Sequence, residues 1–268
     1  MADVQLGVIG AGNMAEAMVR GAISAGVLQS GEIIAADPDE SRRRLFAEEL
    51  GVEATAENAA AAGAPRVLLA VKPQQVSGVL QSIAAHVRED ATVISIAAGV
   101  STSAIDAALG GKGRIVRVMP NTPMLAGAGM SALAAGPRAT EYDLDWTRRL
   151  LEAAGKAVTV SEEMMDAVTA VSGSGPAYFF YLIEAMVAAG VAEGLQEQTA
   201  ALLARQTCLG AAKLLEETGE SPETLRARVT SPGGTTQKAI ETLDAAGVRD
   251  SLIAAVRAAA ARSRELGG

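Results

Sequence analysis

Short apolar runs and amphipathic stretches alternate along the first 160 residues of the chain. The apolar runs, at residues 4–9, 32–36, 67–71, 92–97 and 115–119, have the length of buried strands. The stretches between them, at residues 13–25, 39–50, 74–87 and 101–109, have the spacing of helices that bury one face. This alternation predicts a parallel-rich sheet whose strands are joined by crossover helices.

The pattern changes after a last strand-like run at residues 156–160. Only helical patterns follow, at residues 166–172, 176–193, 198–218, 222–229, 235–245 and 248–266. Asp39, Ser101 and Ser221 are predicted N-caps, and Gly51, Gly110 and Gly219 are predicted helix ends. We therefore predict an α/β domain over residues 1–160 and an all-α domain over residues 161–268.

The first strand–helix junction has the sequence Gly10-Ala11-Gly12-Asn13-Met14-Ala15. Gly10 would permit a tight turn, Gly12 would let the backbone approach a pyrophosphate, and Ala15 would let helix and strand pack closely. The start of the helix adds free N–H groups that favour phosphate. Because this junction opens the alternating series, it predicts a dinucleotide-binding site.

The end of the second strand leaves the form of the dinucleotide open. Asp37 stands where an acidic residue usually holds the ribose 2′-hydroxyl of NAD. Arg42, Arg43 and Arg44 follow in the next helix and could reach the 2′-phosphate of NADP. The predicted cofactor is therefore NADPH or NADH, with no choice between them.

A second turn, Ser231-Pro232-Gly233-Gly234-Thr235-Thr236, precedes another predicted helix. Successive N–H groups of such a turn can point at one oxyanion. The turn contains no strong acid, base or metal ligand, so we expect it to hold a carboxylate and to offer hydroxyl hydrogen bonds. A purely structural N-cap loop is the alternative interpretation of this segment alone.

Charge and composition narrow the range of partners. The formal net charge of −8 argues against binding to nucleic acid or to an anionic membrane through a general positive field. One cysteine and one histidine cannot form a soft metal site, so no metal is expected. The most apolar stretch, residues 177–191, is shorter than the roughly 20 residues of a membrane span, and no signal pattern opens the chain. We expect a cytoplasmic protein.

Segments along nearly the whole chain resemble the pyrroline-5-carboxylate reductase family. They are Ile9-Gly-Ala-Gly-Asn-Met14, Ala70-Val-Lys-Pro73, Ala97-Ala-Gly-Val100, Arg117-Val-Met-Pro-Asn-Thr-Pro123, Asp166-Ala-Val-Thr-Ala-Val-Ser-Gly-Ser-Gly-Pro-Ala-Tyr178, and the turn at residues 231–236 with Ala239-Ile-Glu-Thr-Leu-Asp244. The resemblance implies a Rossmann-like N-terminal domain and an all-α C-terminal dimerisation domain. It also implies a homodimer through the helical domain, and in some relatives five dimers form a decamer.

The activity that the resemblance implies is hydride transfer from NADPH or NADH to the C=N bond of 1-pyrroline-5-carboxylate, a small imino acid. The product is L-proline, and the reaction is the last step of proline biosynthesis. By position, the cofactor residues would be Ile9, Gly10, Ala11, Gly12, Asn13, Met14, Asp37, Asn58, Ala70, Val71, Lys72, Pro73, Ile96, Ala97 and Ala98. Asp37 is a departure, because some relatives carry Ser there.

The same resemblance implies the substrate residues. Thr236 would hydrogen-bond the imine nitrogen and is the predicted catalytic residue. The others would be Glu162, Val229, Ser231, Gly234 and Thr235.

Two other classes of protein share part of this pattern. A β-hydroxyacid dehydrogenase or related imine reductase would place a catalytic Lys or Asp on the long helix after the sheet. Residues 176–193 offer only Glu184 and Glu193 there. A dinucleotide sensor without turnover would not need the second anion-binding turn.

Overall fold

The computed structural model of the chain describes residues 3–267. Within them the α/β part forms one sheet of eight strands: β1 (Leu6–Ile9), β2 (Ile33–Ala36), β3 (Glu53–Thr55), β4 (Arg66–Leu69), β5 (Thr92–Ser95), β6 (Arg114–Met119), β7 (Gly129–Ala135) and β8 (Gly155–Thr159). Neighbouring strands are parallel except for the antiparallel pair β6–β7. The predicted parallel-rich α/β sheet is confirmed. β3 and β7 were not predicted.

The helices of the α/β part are α1 (Asn13–Ser24), α2 (Glu40–Leu50), α3 (Asn58–Ala62), α4 (Pro73–Ile83), α5 (Thr102–Ala108), α6 (Glu141–Glu152) and α7 (Met165–Val168), which continues into a π-helical turn, Thr169–Gly173. The helices that follow are α8 (Gly175–Ala192), α9 (Glu197–Thr218), α10 (Pro222–Arg228), α11 (Thr235–Ala245) and α12 (Val248–Leu266). The predicted all-α C-terminal region is confirmed, whereas α3 was not predicted.

Local sequence signals explain where several helices begin and end. The side chains of Asp39, Ser101 and Ser221 accept hydrogen bonds from the first turns of α2, α5 and α10, as predicted for N-caps. Gly51 and Gly219 end α2 and α9 in the left-handed conformation that glycine adopts without strain.

The strand order places a crevice beside β1. The order is β3-β2-β1-β4-β5-β6-β7-β8, so the chain leaves β1 towards β2 on one side and later returns to β4 on the other. In open α/β sheets, ligands bind outside the carboxyl ends of the strands at such a switch point. The fold therefore directs attention to the loops that follow β1 and β4.

Alternate residues of the strands pack into two apolar cores, one on each face of the sheet. Leu6, Val8 and Leu68 belong to the core that also contains Phe46. Ile9 and neighbouring strand residues belong to the opposite core. Both faces are thus buried, as expected of a sheet covered by helices on either side.

By its contacts the chain divides into two compact units. The first comprises Met1–Ser174 with Ala259–Gly268, and the second comprises Gly175–Ala258. This division differs from the predicted domain boundary after residue 160. The roles expected of the two domains, dinucleotide binding by residues 1–160 and dimerisation and substrate binding by residues 161–268, stay a prediction.

The second unit exposes much of its apolar surface. Phe179, Phe180 and Tyr181 on α8 are 59%, 60% and 76% exposed, and Leu202 on α9 is 60% exposed. Among the described residues, the helical stretch Glu162–Ala192 is long and apolar enough to cross a membrane by length and composition alone, with a mean hydropathy of 1.4. An apolar helix that a second protein chain covers has the same features.

Candidate functional site

Three loops meet at the carboxyl edge of the sheet. The Gly10 N–H donates to the Ala36 carbonyl at 2.8 Å, and the Ala70 N–H donates to the Ile9 carbonyl at 2.8 Å. The Ile96 N–H donates to the Leu69 carbonyl at 3.1 Å. These bonds extend the strand ladder by one residue beyond each strand, so the predicted cofactor segments after β1, β4 and β5 lie side by side.

The loop at residues 10–14, called the glycine loop below, requires glycine at its first position. Gly10 has φ of +93°, and a Cβ atom there would lie 2.8 Å from the Ala70 carbonyl oxygen. A Cβ atom on Gly12 would instead meet nothing within 4 Å, because this residue faces open space. No side chain caps the start of α1. Open space in front of uncapped helix N–H groups fits a pyrophosphate.

Asp37 connects the end of β2 to the glycine loop. Its Oδ2 accepts from the Ala11 N–H at 2.7 Å, and its Oδ1 accepts from the Asp39 N–H at 2.8 Å. Arg42 reaches the same loop, since its Nε donates to the Ala11 carbonyl at 2.5 Å. The structure therefore brings together both groups on which the choice between NADH and NADPH was expected to depend.

The remaining predicted cofactor residues lie at the starts of two other helices or in the loop after β5. Asn58 is the first residue of α3, and Lys72 is the N-cap of α4, where Pro73 follows as its first residue. After β5, Ala97 is buried and Ala98 is exposed. Binding of the cofactor by these residues stays a prediction.

A cavity of about 520 Å³ adjoins these loops within the first unit. Pro73 and Ala98, two of the predicted cofactor residues, are part of its wall. Ala259, Arg262 and Ser263 near the end of α12 also line the cavity. The cavity thus extends from the cofactor loops to the last turns of α12.

The end of α12 was not predicted to take part in a site. The Ser263 hydroxyl donates to Asp166 Oδ1 at 2.6 Å, and a Cβ atom on Gly99 would lie 3.2 Å from the Leu266 carbonyl oxygen. The contact between residues 166 and 263 spans 97 positions, and neither residue belongs to a local motif that indicates the other. No signal in the sequence predicts that the end of α12 lines this cavity.

Glu162 lies in the first unit, where its carboxylate is engaged by other protein groups. Oε1 accepts from the Thr102 N–H at 2.8 Å and from Arg117 at 3.0 Å, while Oε2 accepts from the Thr102 hydroxyl at 2.5 Å. Burial alone would raise the pKa of Glu162, but these hydrogen bonds outweigh it and hold the pKa below its ordinary value. The carboxylate holds the start of α5 to β6. Its predicted contact with substrate stays a prediction.

The turn at residues 231–236 lies in the second unit. The Gly234 N–H donates to the Ser231 carbonyl at 3.0 Å, and the Gly233 N–H donates to Gln237 Oε1 at 2.6 Å. Gly234 is the N-cap of α11 and provides no side-chain cap. Within the described part of the chain, the Thr236 hydroxyl has no hydrogen-bond partner. Thr236 lies one residue after the start of α11, Ser231 is exposed, and Val229 follows the last residue of α10.

Among residues 3–267, no group of three or more His, Cys, Asp or Glu side chains is placed to hold a metal ion. The first unit offers a glycine loop at a switch point. The second offers an uncapped helix start with a free hydroxyl. The two units present these features separately, and each is suited to an anionic ligand.

The fold and the glycine-loop site define a dinucleotide-binding protein. A family model described as "NADP oxidoreductase coenzyme F420-dependent" matches residues 5–99, and one described as "Pyrroline-5-carboxylate reductase dimerisation" matches residues 162–266. A pyrroline-5-carboxylate reductase of Methanosarcina acetivorans is 43% identical over 268 residues, which cover 100% of this chain and 99% of the relative. The chain belongs to the pyrroline-5-carboxylate reductase family.

Solved structures agree with this assignment. A pyrroline-5-carboxylate reductase from Coxiella burnetii superposes with a TM-score of 0.94 at 38% identity, and the match covers 100% of both chains. The Plasmodium falciparum pyrroline carboxylate reductase, solved with NADP bound, has a TM-score of 0.88 at 27% identity, again over 100% of both chains. The predicted family and fold class are thereby confirmed.

Proposed function

We propose that the protein reduces 1-pyrroline-5-carboxylate to L-proline with NADPH or NADH, the last step of proline biosynthesis. The observation that carries the proposal is the pairing of two anion-binding designs in a chain of this family. The glycine loop and the open space at Gly12 suit a dinucleotide pyrophosphate. The uncapped turn before α11 suits a small carboxylate.

The proposed substrate roles follow from the polar groups that the turn at residues 231–236 leaves free. Ser231, Gly234 and Thr235 hold the substrate carboxylate, and Val229 lines the ring. The Thr236 hydroxyl, which has no partner in the described chain, hydrogen-bonds the ring nitrogen. Glu162 contacts the substrate through the acceptor position that its bonds to Thr102 and Arg117 leave free. The dinucleotide supplies the hydride chemistry when bound.

The contribution of these residues is positioning, which in favourable cases supplies roughly 7–11 kcal/mol. A threonine hydroxyl is a poor acid, and no strong base lies in the turn at residues 231–236. The ring nitrogen therefore takes its proton from water, or enters already protonated as an iminium. Thr236 orients that nitrogen, and the turn fixes the ring through its carboxylate.

The test is to replace Thr236 by Ala and to measure turnover, KM and dinucleotide affinity. Loss of one hydrogen bond to a charged nitrogen lowers kcat/KM by about 10–100-fold, with dinucleotide affinity unchanged. Thr242→Ala is a matched control on the same helix, because the Thr242 hydroxyl already donates to the Lys238 carbonyl at 2.8 Å. Wild-type kinetics in Thr236→Ala at every pH would remove this residue from the mechanism.

The same assay separates the two alternative classes. Oxidation of the dinucleotide on adding pyrroline-5-carboxylate supports the proposed reaction. Turnover of β-hydroxy acids without imine reduction would support a dehydrogenase instead. Dinucleotide binding without any turnover would favour a sensor.

We also infer a homodimer in which two helical units cover each other. The large side chains of α8 are mostly exposed in one chain, and only Gly175, Ala200 and Ala204 are buried in the second unit. A unit with so little core of its own needs a partner surface to bury its apolar area. The match of residues 162–266 to a reductase dimerisation model favours a second copy over a membrane.

Light scattering on the purified protein tests this assembly. A mass of two chains supports the dimer, and a mass of ten supports five dimers in a decamer. A monomer that requires detergent would contradict the inference and would support a membrane contact for α8. For the cell, we propose a cytoplasmic location and no nucleic-acid partner, in keeping with the net charge of −8.

A further inference from the structure

The residues after β2 form the surface that the adenine ribose of a bound dinucleotide would meet. Asp37 is the first of them, and its two carboxylate oxygens are held by the Ala11 and Asp39 N–H groups at 2.7 and 2.8 Å. A carboxylate has about four lone-pair positions, so each oxygen can still accept a further hydrogen bond. The side chain is half-buried and therefore remains accessible to a ligand.

The three arginines that could offset this negative charge are already engaged. Arg42 donates to the Ala11 carbonyl at 2.5 Å and to Glu16 Oε2 at 2.8 Å. Arg43 donates to the Asp37 and Pro38 carbonyls, at 2.9 and 2.8 Å. Arg44 is ion-paired with Glu40 at 2.7 Å, four residues before it on α2.

Arg42 in particular is held as part of the protein structure. Its side chain is only 21% exposed, and it lies against Glu16, which is 19% exposed. Turning the guanidinium towards a phosphate would break a charge-assisted hydrogen bond and would leave the Glu16 carboxylate with Arg20 as its remaining partner. The arginine run therefore offers no preformed fork for a 2′-phosphate.

The consequence differs for the two dinucleotides. A ribose 2′-hydroxyl can donate to the Asp37 carboxylate, which is the interaction that Rossmann-type sites use for NAD. A 2′-phosphate would bring two further negative charges against the same carboxylate, and like charges in contact are strongly unfavourable.

We propose that Asp37 makes this chain selective for NADH over NADPH. The inference deepens the proposed function and rests on it, because it assigns the dinucleotide of the same site. It also separates this chain from its Plasmodium falciparum relative, which was solved with NADP bound.

The experiment measures the dissociation constants of NADH and NADPH by nicotinamide fluorescence, independently of turnover. It compares the wild-type protein with Asp37→Ser and with the nearly isosteric Asp37→Asn. Asp39→Ser is the matched control, because it removes the same charge two residues away and leaves a good N-cap for α2.

We expect the wild-type protein to bind NADH at least about tenfold more tightly than NADPH. Asp37→Ser and Asp37→Asn should reduce this ratio by about tenfold or more, whereas Asp39→Ser should leave it nearly unchanged. Higher ionic strength should narrow the wild-type ratio, because salt screens charge repulsion at a half-exposed site.

Equal or tighter binding of NADPH by the wild-type protein would overturn the inference. An unchanged ratio in both folded Asp37 variants would do so as well. Binding of neither dinucleotide would overturn both this inference and the proposed function. NADH-selective binding without reduction of pyrroline-5-carboxylate would support the inference and overturn only the proposed substrate.

Discussion

Asp143 is a fully buried acidic residue on α6, and its carboxylate joins that helix to two strands. The Thr92 hydroxyl on β5 donates to it, and Arg114 on β6 donates through Nε at 2.9 and 3.0 Å. The Thr140 N–H and hydroxyl donate to Oδ2 at 2.9 and 2.6 Å, which completes a capping box. The side chain has no exposed surface. We predict that Asp143→Ala is strongly destabilising.

The expected loss of stability follows from the charge of Arg114, which the substitution leaves without its partner. Removing one partner of a buried ion pair destabilises a protein by about 3–5 kcal/mol. Arg114 is 27% exposed and can turn towards water, so the lower end of that range applies. A loss of about 3 kcal/mol lowers Tm by about 6–12 °C for a protein of this size.

Thermal unfolding followed by circular dichroism at one protein concentration measures the effect. Asp145→Ala is the control on the same helix, because Asp145 is 60% exposed and is paired with Arg148 at the surface. We expect that control to shift Tm by about 2 °C at most. A fall in Tm for Asp143→Ala no larger than that of the control would refute the argument.

The pH dependence provides an independent check. Burial alone would raise the pKa of Asp143, but hydrogen bonds from Thr140, Thr92 and Arg114 outweigh it and place the folded-state pKa below the ordinary value of 3.8. The stabilisation is therefore fully present above 3.8 and is lost as pH falls through the lower folded-state value. The difference in Tm between wild type and Asp143→Ala should narrow over that acidic range.

Two further substitutions test the buried polar groups. Ser131 is fully buried, and its hydroxyl has no hydrogen-bond partner among the described residues. Ser131→Ala should therefore raise Tm by about 2 °C, and a clear fall in Tm would contradict this reasoning. Glu162→Gln should destabilise the protein by about 1–2 kcal/mol in denaturant unfolding, because an amide cannot accept all the bonds that Thr102 and Arg117 donate. Glu163→Gln is the control, because Glu163 is the exposed neighbour of Glu162. An equal loss of stability in both variants would contradict the role of Glu162 in holding α5 to β6.

The sequence was sufficient to predict elements with strong local signals. α11 and α12 begin and end at the predicted residues, 235–245 and 248–266, because turns with glycine bound both helices. β7 was not predicted because Gly129–Ala135 consists mainly of small residues without a strand-like alternation. β3 has three residues and includes the exposed Glu53, so it too has little signal of its own.

In the candidate site, too, only the features with a local sequence signal could be predicted. The glycine loop and Asp37 could be predicted, because a strand, a turn and a helix follow one another directly in the chain. The engagement of Arg42 with Glu16 could not, since these residues lie 26 positions apart on different helices. Glu162 likewise meets Thr102 across 60 positions, and only the folded chain brings its carboxylate to the start of α5.

The position of the end of α12 affects the order in which the parts of the first unit can fold during synthesis. Residues from Ala259 onward belong to the first unit, although the whole of the second unit precedes them in the chain. Domains generally fold as units during synthesis, N-terminal parts first. Here the sheet and the glycine loop can form while translation continues. The cavity wall at Ala259, Arg262 and Ser263 can be added only after the whole of the second unit has been synthesised.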